Sequence, residues 1–171
     1  DRSDVAYTIA TQTTFPSWGY WVKQGATTLW EHWNGKASLN HVMYGDISAW
    51  LFKNLGGIKP DPKQPGFKNI IIEPYFANDM EWVKTRHNCM YGSITSNWEK
   101  KDDKIYMELE IPANTTASVS IPYIDSNSVK ADGIEISKVD GLKNINKAGT
   151  NLAFDIGSGS YKFEFPIIKN N

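Results

Sequence analysis

Apolar and polar positions alternate with two different periods along this chain. At Ile105/Met107/Leu109/Ile111, Ala117/Val119/Ile121, Leu152/Phe154/Ile156 and Tyr161/Phe163/Phe165, every second residue is apolar with polar residues between. A period of two sends all the apolar side chains of a segment to one face of a strand. Together with less regular runs, this predicts strands at 69–73, 81–86, 93–99, 105–111, 116–121, 134–138, 151–156 and 161–165. Turns fall at 100–104, at Asp140-Gly141 and at Gly157-Ser158-Gly159. Short strands at this spacing predict an antiparallel β-sandwich. Before residue 57 the period is helical. Met43, Ile47, Trp50, Leu51 and Leu55 share one helix face, Asn40 is an N-cap candidate, and Gly56-Gly57 supplies the stop. A weaker helix is predicted over 3–11, and Pro16 cannot continue it.

The change of period, with Pro60, Pro62, Pro65 and Gly66 just beyond it, divides the chain into a helical segment, 1–57, and a β-sandwich domain, 58–171. The fold class is therefore α+β. Composition supports a packed interior, with 40% apolar and 13% aromatic residues in 171. Lys and Arg number 18 against 19 Asp and Glu, a net charge of −1, so no long-range field recruits nucleic acid or an anionic membrane. A neutral substrate fits this balance. No apolar run approaches a membrane span and no leader pattern opens the chain, so the compartment stays open. Cys89 is the single cysteine, and no intramolecular disulfide can form. The chain starts at Asp1 in a structured segment, which reads as a piece of something longer.

Four of the seven tryptophans, Trp18, Trp21, Trp30 and Trp33, lie between the two predicted helices and surround one carboxylate, Glu31. Apolar walls with one placed acid are the composition of a sugar pocket, in which indole faces cover ring C–H groups and the acid moves a proton. Taken bare, Glu31 reads first as a solvated first-turn glutamate, and it is the bracketing Trp30 and Trp33 that raise the catalytic reading. The four indoles divide between core and cleft in a way the sequence does not sort. His41, just after Asn40, reads as a capping histidine or as a donor into the loop's pocket. His32, His87 and Asp46 have weaker claims. Three histidines without a carboxylate cluster at ligand spacing make no zinc site. Asn114-Thr115-Thr116 fits a glycosylation sequon and is read as a turn between strands. No dinucleotide or P-loop glycine motif, nucleophile elbow or CxxC occurs.

These residues also carry a resemblance. Phe15-Pro16-Ser17-Trp18-Gly19-Tyr20-Trp21, then Gly25-Ala26-Thr27-Thr28-Leu29-Trp30-Glu31-His32-Trp33, then Ser38-Leu39-Asn40-His41 with Gly45, resemble the C-terminal end of bacterial α-L-rhamnosidases. Downstream, Pro65-Gly66-Phe67-Lys68, Ile70-Ile71-Ile72-Glu73-Pro74 and Ile111-Pro112-Ala113-Asn114-Thr115-Thr116 resemble that family's C-terminal β-sandwich. The resemblance implies an inverting glycoside hydrolase with an (α/α)6-barrel catalytic domain, to which residues 1–57 contribute the closing helices. It places the general base on Glu31 and a sugar contact on His41; Trp18, Trp21 and Trp30 are taken as further substrate-binding residues on the aromatic composition of the loop alone. The family's general acid belongs to a motif that would precede Asp1, so the fragment alone is expected to be inactive. His32 stands where most members carry Arg, and the 34–40 loop is short, two departures that bear on substrate preference. The resemblance implies no metal or organic cofactor. The partners it implies are a rhamnose-containing glycoside and the remaining part of the chain's own barrel. The rival reading is a non-catalytic carbohydrate-binding or structural β-sandwich module. Trp82 and Trp98 are the only tryptophans in its strand half and offer no dense aromatic platform.

Overall fold

A computed structural model describes residues 2–123, 125 and 128–168. The chain folds as two compact units, Asp1–Leu51 and Phe52–Asn171.

The first unit is built from short helices. α1, Ser3–Thr11, covers the residues the sequence predicts. α2, Trp18–Lys23, lies inside what the sequence reads as an aromatic loop. Its start is set by Ser17, whose hydroxyl accepts the Tyr20 amide at 2.9 Å in the manner of an N-cap. The aromatic run Trp18-Gly19-Tyr20-Trp21 has no apolar periodicity to announce this helix. The long helix expected from an Asn40 cap to Leu55 is instead three shorter turns. A 3₁₀ turn spans Val42–Tyr44, α3 spans Ile47–Trp50, and a π-turn spans Leu51–Leu55. His41, not Asn40, caps the first of these by accepting the Met43 amide on Nδ1 at 3.1 Å.

The second unit is a two-sheet sandwich. Its strands are β1 (Ile58–Pro60), β2 (Asn69–Ile72), β3 (Trp82–Cys89), β4 (Gly92–Lys101), β5 (Lys104–Ile111), β6 (Thr116–Pro122), β7 (Lys130–Ala131), β8 (Ile134–Glu135), β9 (Lys143–Ala148), β10 (Asn151–Ile156) and β11 (Gly159–Pro166). One sheet has the order β1-β2-β6-β10-β9 and the other β3-β4-β5-β11-β7-β8. Pairing is antiparallel except between β2 and β6, which run parallel. The eight predicted strands are present with ends shifted by up to a few residues. The exception is 134–138, where only Ile134–Glu135 is strand and a 3₁₀ turn over Ile136–Lys138 follows. There the chain leaves the ladder and buries the Ile136 side chain.

The period-two faces meet in one core. Register places Trp98 opposite Met107 and Met107 opposite Phe163 in the six-stranded sheet. In the other sheet Val119 faces Phe154 and Ile121 faces Leu152. Phe154 and Phe163 join the two sheets with ring centroids 5.2 Å apart. All of these side chains are buried. The Trp98 indole N–H donates to the Leu55 carbonyl at 2.9 Å, giving a buried polar group its partner. Asn114 turns the chain between β5 and β6 with φ of 62°, and Thr115 Oγ1 donates to the Pro112 carbonyl at 2.6 Å. That is the turn expected at the sequon.

Candidate functional site

The aromatic segment folds on itself as two paired stretches joined by a six-residue bend. The Glu31 amide donates to the Ser38 carbonyl at 2.9 Å and the His41 amide to the Leu29 carbonyl at 2.9 Å, while Thr28 Oγ1 donates to the Leu39 carbonyl. Residues 28–31 thus lie beside 38–41, bringing Glu31 and His41 onto one small backbone frame. The bend is closed by the Gly35 amide on the His32 carbonyl at 3.0 Å and by the Lys36 amide on Asn34 Oδ1 at 3.0 Å. Gly35 has φ of +68°, and a Cβ there would lie 2.9 Å from the Trp30 ring. Only glycine suits both the backbone and the contact.

Glu31 is half-buried, and its carboxylate is held by the main chain, with Oε2 accepting the Ser38 amide at 3.2 Å. The side chain and backbone of Glu31 therefore both bond to Ser38, which locks its position in the frame. His41 is exposed, and with Nδ1 accepting from Met43 its neutral ring carries the hydrogen on Nε2.

The tryptophans form one cluster. Trp21 and Trp33 pack tilted with centroids 4.4 Å apart, Trp33 and Tyr44 lie 4.2 Å apart, Trp30 reaches Trp21 at 5.8 Å, and Trp18 meets Trp33 edge-on at 5.5 Å. Two indole N–H groups tie the cluster to the backbone, Trp21 to the Trp33 carbonyl at 2.9 Å and Trp18 to the Tyr44 carbonyl at 3.2 Å. Such pairs contribute about 0.5–1.5 kcal/mol each beyond area burial. Trp21 is only 2% exposed and sits at the cluster's centre. Its ring packs against those of Trp33, Trp30 and Tyr44. Trp18, Trp30 and Trp33 are half-buried.

Tyr44 and Ser38 are the contributors that residue types along the chain do not single out. Tyr44 falls between the apolar positions Met43 and Ile47 of the expected helix and gives no signal of its own. The signal for Ser38 is its place in the Ser38-Leu39-Asn40-His41 run. His32 and Asp46 are exposed and stand outside the ring contacts of the cluster. Asp46 precedes α3 without a side-chain cap bond. His87 lies in the other unit, beside Phe67 at 4.7 Å. Among the described residues no group of three or more His, Cys, Asp or Glu is placed to hold a metal ion. Nor is any helix there long and apolar enough to cross a membrane.

Both units match one class of enzyme, the glycoside hydrolases that act as α-L-rhamnosidases. Residues 1–55 match the model of the bacterial alpha-L-rhamnosidase 6 hairpin glycosidase domain, and residues 57–134 match that of the bacterial alpha-L-rhamnosidase C-terminal domain. An alpha-L-rhamnosidase of Formosa agariphila is 34% identical over 94% of this chain, and one of Streptomyces avermitilis is 30% identical over 95%. The chain spans 18% and 16% of the lengths of these two relatives. Among solved structures, the Streptomyces avermitilis alpha-L-rhamnosidase complexed with L-rhamnose superposes with a TM-score of 0.83 at 28% identity, over 98% of this chain and 16% of that one. The alpha-L-rhamnosidase of Dictyoglumus thermophilum gives 0.83 at 32% identity, over 95% and 19%. The chain belongs to the bacterial α-L-rhamnosidase family and corresponds to the C-terminal part of its members.

Proposed function

We propose that this chain supplies the general base of an α-L-rhamnosidase that releases terminal α-L-rhamnosyl residues with inversion, and that Glu31 is that base. Glu31 takes a proton from the water that attacks the anomeric carbon. A second carboxylic acid, from a part of the barrel to which no segment of this chain corresponds, protonates the leaving oxygen. The observation that carries this reading is the grip on the Glu31 carboxylate. Oε2 is engaged by the Ser38 amide, and Oε1 has no partner among the described residues. An acid oriented by backbone on one oxygen has the other available to accept the water's proton. Trp18 and Trp30 offer partly open indole faces to a sugar ring, and His41 offers Nε2–H to a sugar hydroxyl.

On this reading residues 1–57 close the catalytic barrel and 58–171 form the sandwich domain that follows it. The two family models, meeting between residues 55 and 57, support that division. Val22, Leu39, Val42 and Met43, between 50% and 81% exposed, are the apolar positions against which the rest of the barrel packs. With one carboxylate of the pair elsewhere, the 171-residue chain by itself releases no rhamnose.

The test is Glu31→Gln in the full-length parent enzyme, which keeps size and the hydrogen bond to Ser38 but removes the base. kcat falls by about 10² to 10⁴ with substrate affinity little changed. NMR of the first product of the wild type shows the inverted anomer. Near-normal turnover of Glu31→Gln, or a retained anomer from the wild type, overturns the assignment.

A further inference from the structure

We propose that the outer face of the six-stranded sheet carries a second carbohydrate site, in which Trp82 and Tyr106 stack on an extended neutral oligosaccharide and Glu99, between them, accepts its hydroxyls. This second site does not depend on the role of Glu31.

The site is assembled by register. Trp82 of β3 lies opposite Glu99 of β4, and Glu99 lies opposite Tyr106 of β5. The three side chains form a row across the sheet on the face away from the core, since their neighbours Trp98, Ile105 and Met107 point inward and are buried. Trp82 is 58% exposed, whereas the other tryptophan of this unit, Trp98, is 2% exposed.

The geometry suits a polymer of sugars. Two strand spacings set the aromatic residues about 10 Å apart. This is comparable to the length of a disaccharide, and an extended β-1,4-linked chain turns the same ring face to one side once per disaccharide. Next to Trp82 the surface sinks into an open concavity of about 510 Å³ lined by Asp79, Met80, Glu81, Val83 and Lys84 as well as the indole.

The charges of the face specify a neutral ligand. Lys162 pairs with Glu108 at 3.5 Å, and Glu164 lies between Lys104 at 3.7 Å and Lys130 at 3.6 Å, so the rows beyond the aromatic pair neutralise themselves. The Glu99 carboxylate and the Tyr106 hydroxyl have no hydrogen-bond or ion-pair partner among the described residues. The polar capacity left open is thus concentrated between and beside the two rings. Lys84 Nζ lies 5.9 Å from the Trp82 ring centroid, where the C–H face of a sugar would sit, and its flexible stem lets it move aside.

The experiment is affinity electrophoresis of the 171-residue chain in native gels containing hydroxyethylcellulose, galactomannan or polygalacturonate. The expected result is retardation by a neutral polymer, weakened about tenfold or more in Trp82→Ala and in Tyr106→Ala, partly kept in Trp82→Phe, and unchanged in Lys143→Ala, an exposed position of β9 in the other sheet. Near-UV circular dichroism checks that each variant stays folded, and Trp82→Phe separates loss of the ring from loss of the fold. No retardation by either neutral polymer overturns the proposal, as does retardation by polygalacturonate alone or retardation that survives in Trp82→Ala. It is also overturned if Trp82→Ala changes only the oligomeric state, because the face then binds a second copy of the chain.

Discussion

Gly57→Ala is a perturbation whose cost the structure lets one work out. Gly57 has φ of +72°, and a Cβ built there lies 2.3 Å from the Pro74 nitrogen and 2.6 Å from the Glu73 carbonyl carbon. The left-handed backbone costs an alanine about 1–2 kcal/mol. The contact is with main chain, so no rotamer change relieves it. β1 and β2 must separate at their open end, where the Glu73 amide donates to the Gly57 carbonyl at 2.9 Å and Ile58 pairs with Ile72. Overpacking of this kind adds about 1–3 kcal/mol. The control is Gly149→Ala in the same unit, with φ of +64° and nothing within 4 Å of a Cβ, which incurs the backbone cost alone. Urea and thermal unfolding followed by circular dichroism should show Gly149→Ala destabilised by about 1–2 kcal/mol and Gly57→Ala by about 2–5 kcal/mol. At about 2–4 °C per kcal/mol, the second change is plain in a melt. Equal losses in the two variants would refute the close-approach argument and leave φ as the whole effect.

Three further changes probe a helix cap, the core and an acidic side chain. Ser17→Ala removes the hydroxyl that accepts the Tyr20 amide and should cost about 1 kcal/mol, read by tryptophan fluorescence during unfolding; an unchanged midpoint would rule out the cap. Ser96 is fully buried and its Oγ has no partner among the described residues, so Ser96→Ala should raise stability by about 1–2 kcal/mol, whereas a loss in urea unfolding would mean the hydroxyl is satisfied. The Asn69 amide on Asp61 Oδ2, and then the Lys63 amide on Oδ1, hold the Asp61 carboxyl below the ordinary carboxylate range. A lowered folded-state pKa contributes stability that is present above about pH 4 and lost as pH falls through the folded value. The wild type's advantage over Asp61→Asn should therefore shrink in acid, and an advantage independent of pH would contradict the assignment.

The strands that were legible are those whose alternation comes from burial on one face. Leu152, Phe154 and Ile156 define β10 to the residue because each is buried and each intervening side chain is not. β9, Lys143–Ala148, has every residue exposed, so its extended state comes from pairing with β10 and leaves no apolar trace. β1 is three residues ending in Pro60, and β7 is two residues, both too short for a period. The break in the expected 40–55 helix has a similar origin. The apolar positions of Met43, Ile47 and Trp50 keep helical spacing through the 3₁₀ turn and α3, and spacing alone does not report the turn at Gly45 and Asp46 between them.

The same division between local and tertiary order governs the two sites. Glu31 stood out in the sequence because Trp30 and Trp33 flank it in the chain, and the bonds that hold it are local too, since Ser38, seven residues on, supplies both. Trp21 could not be told from Trp30 in that way, because its burial depends on Trp33 and Tyr44 arriving from later in the chain. The Trp82–Glu99–Tyr106 row is further from any local signal, since it exists only through the register of three strands. A slip of one residue in β4 would turn Glu99 inward and Trp98 outward, burying a charge and exposing an indole. The indole bond from Trp98 to the Leu55 carbonyl and its packing against Phe76 at 5.1 Å oppose that slip. The residue that fixes the core register is therefore the one that sets Glu99 between the Trp82 and Tyr106 rings.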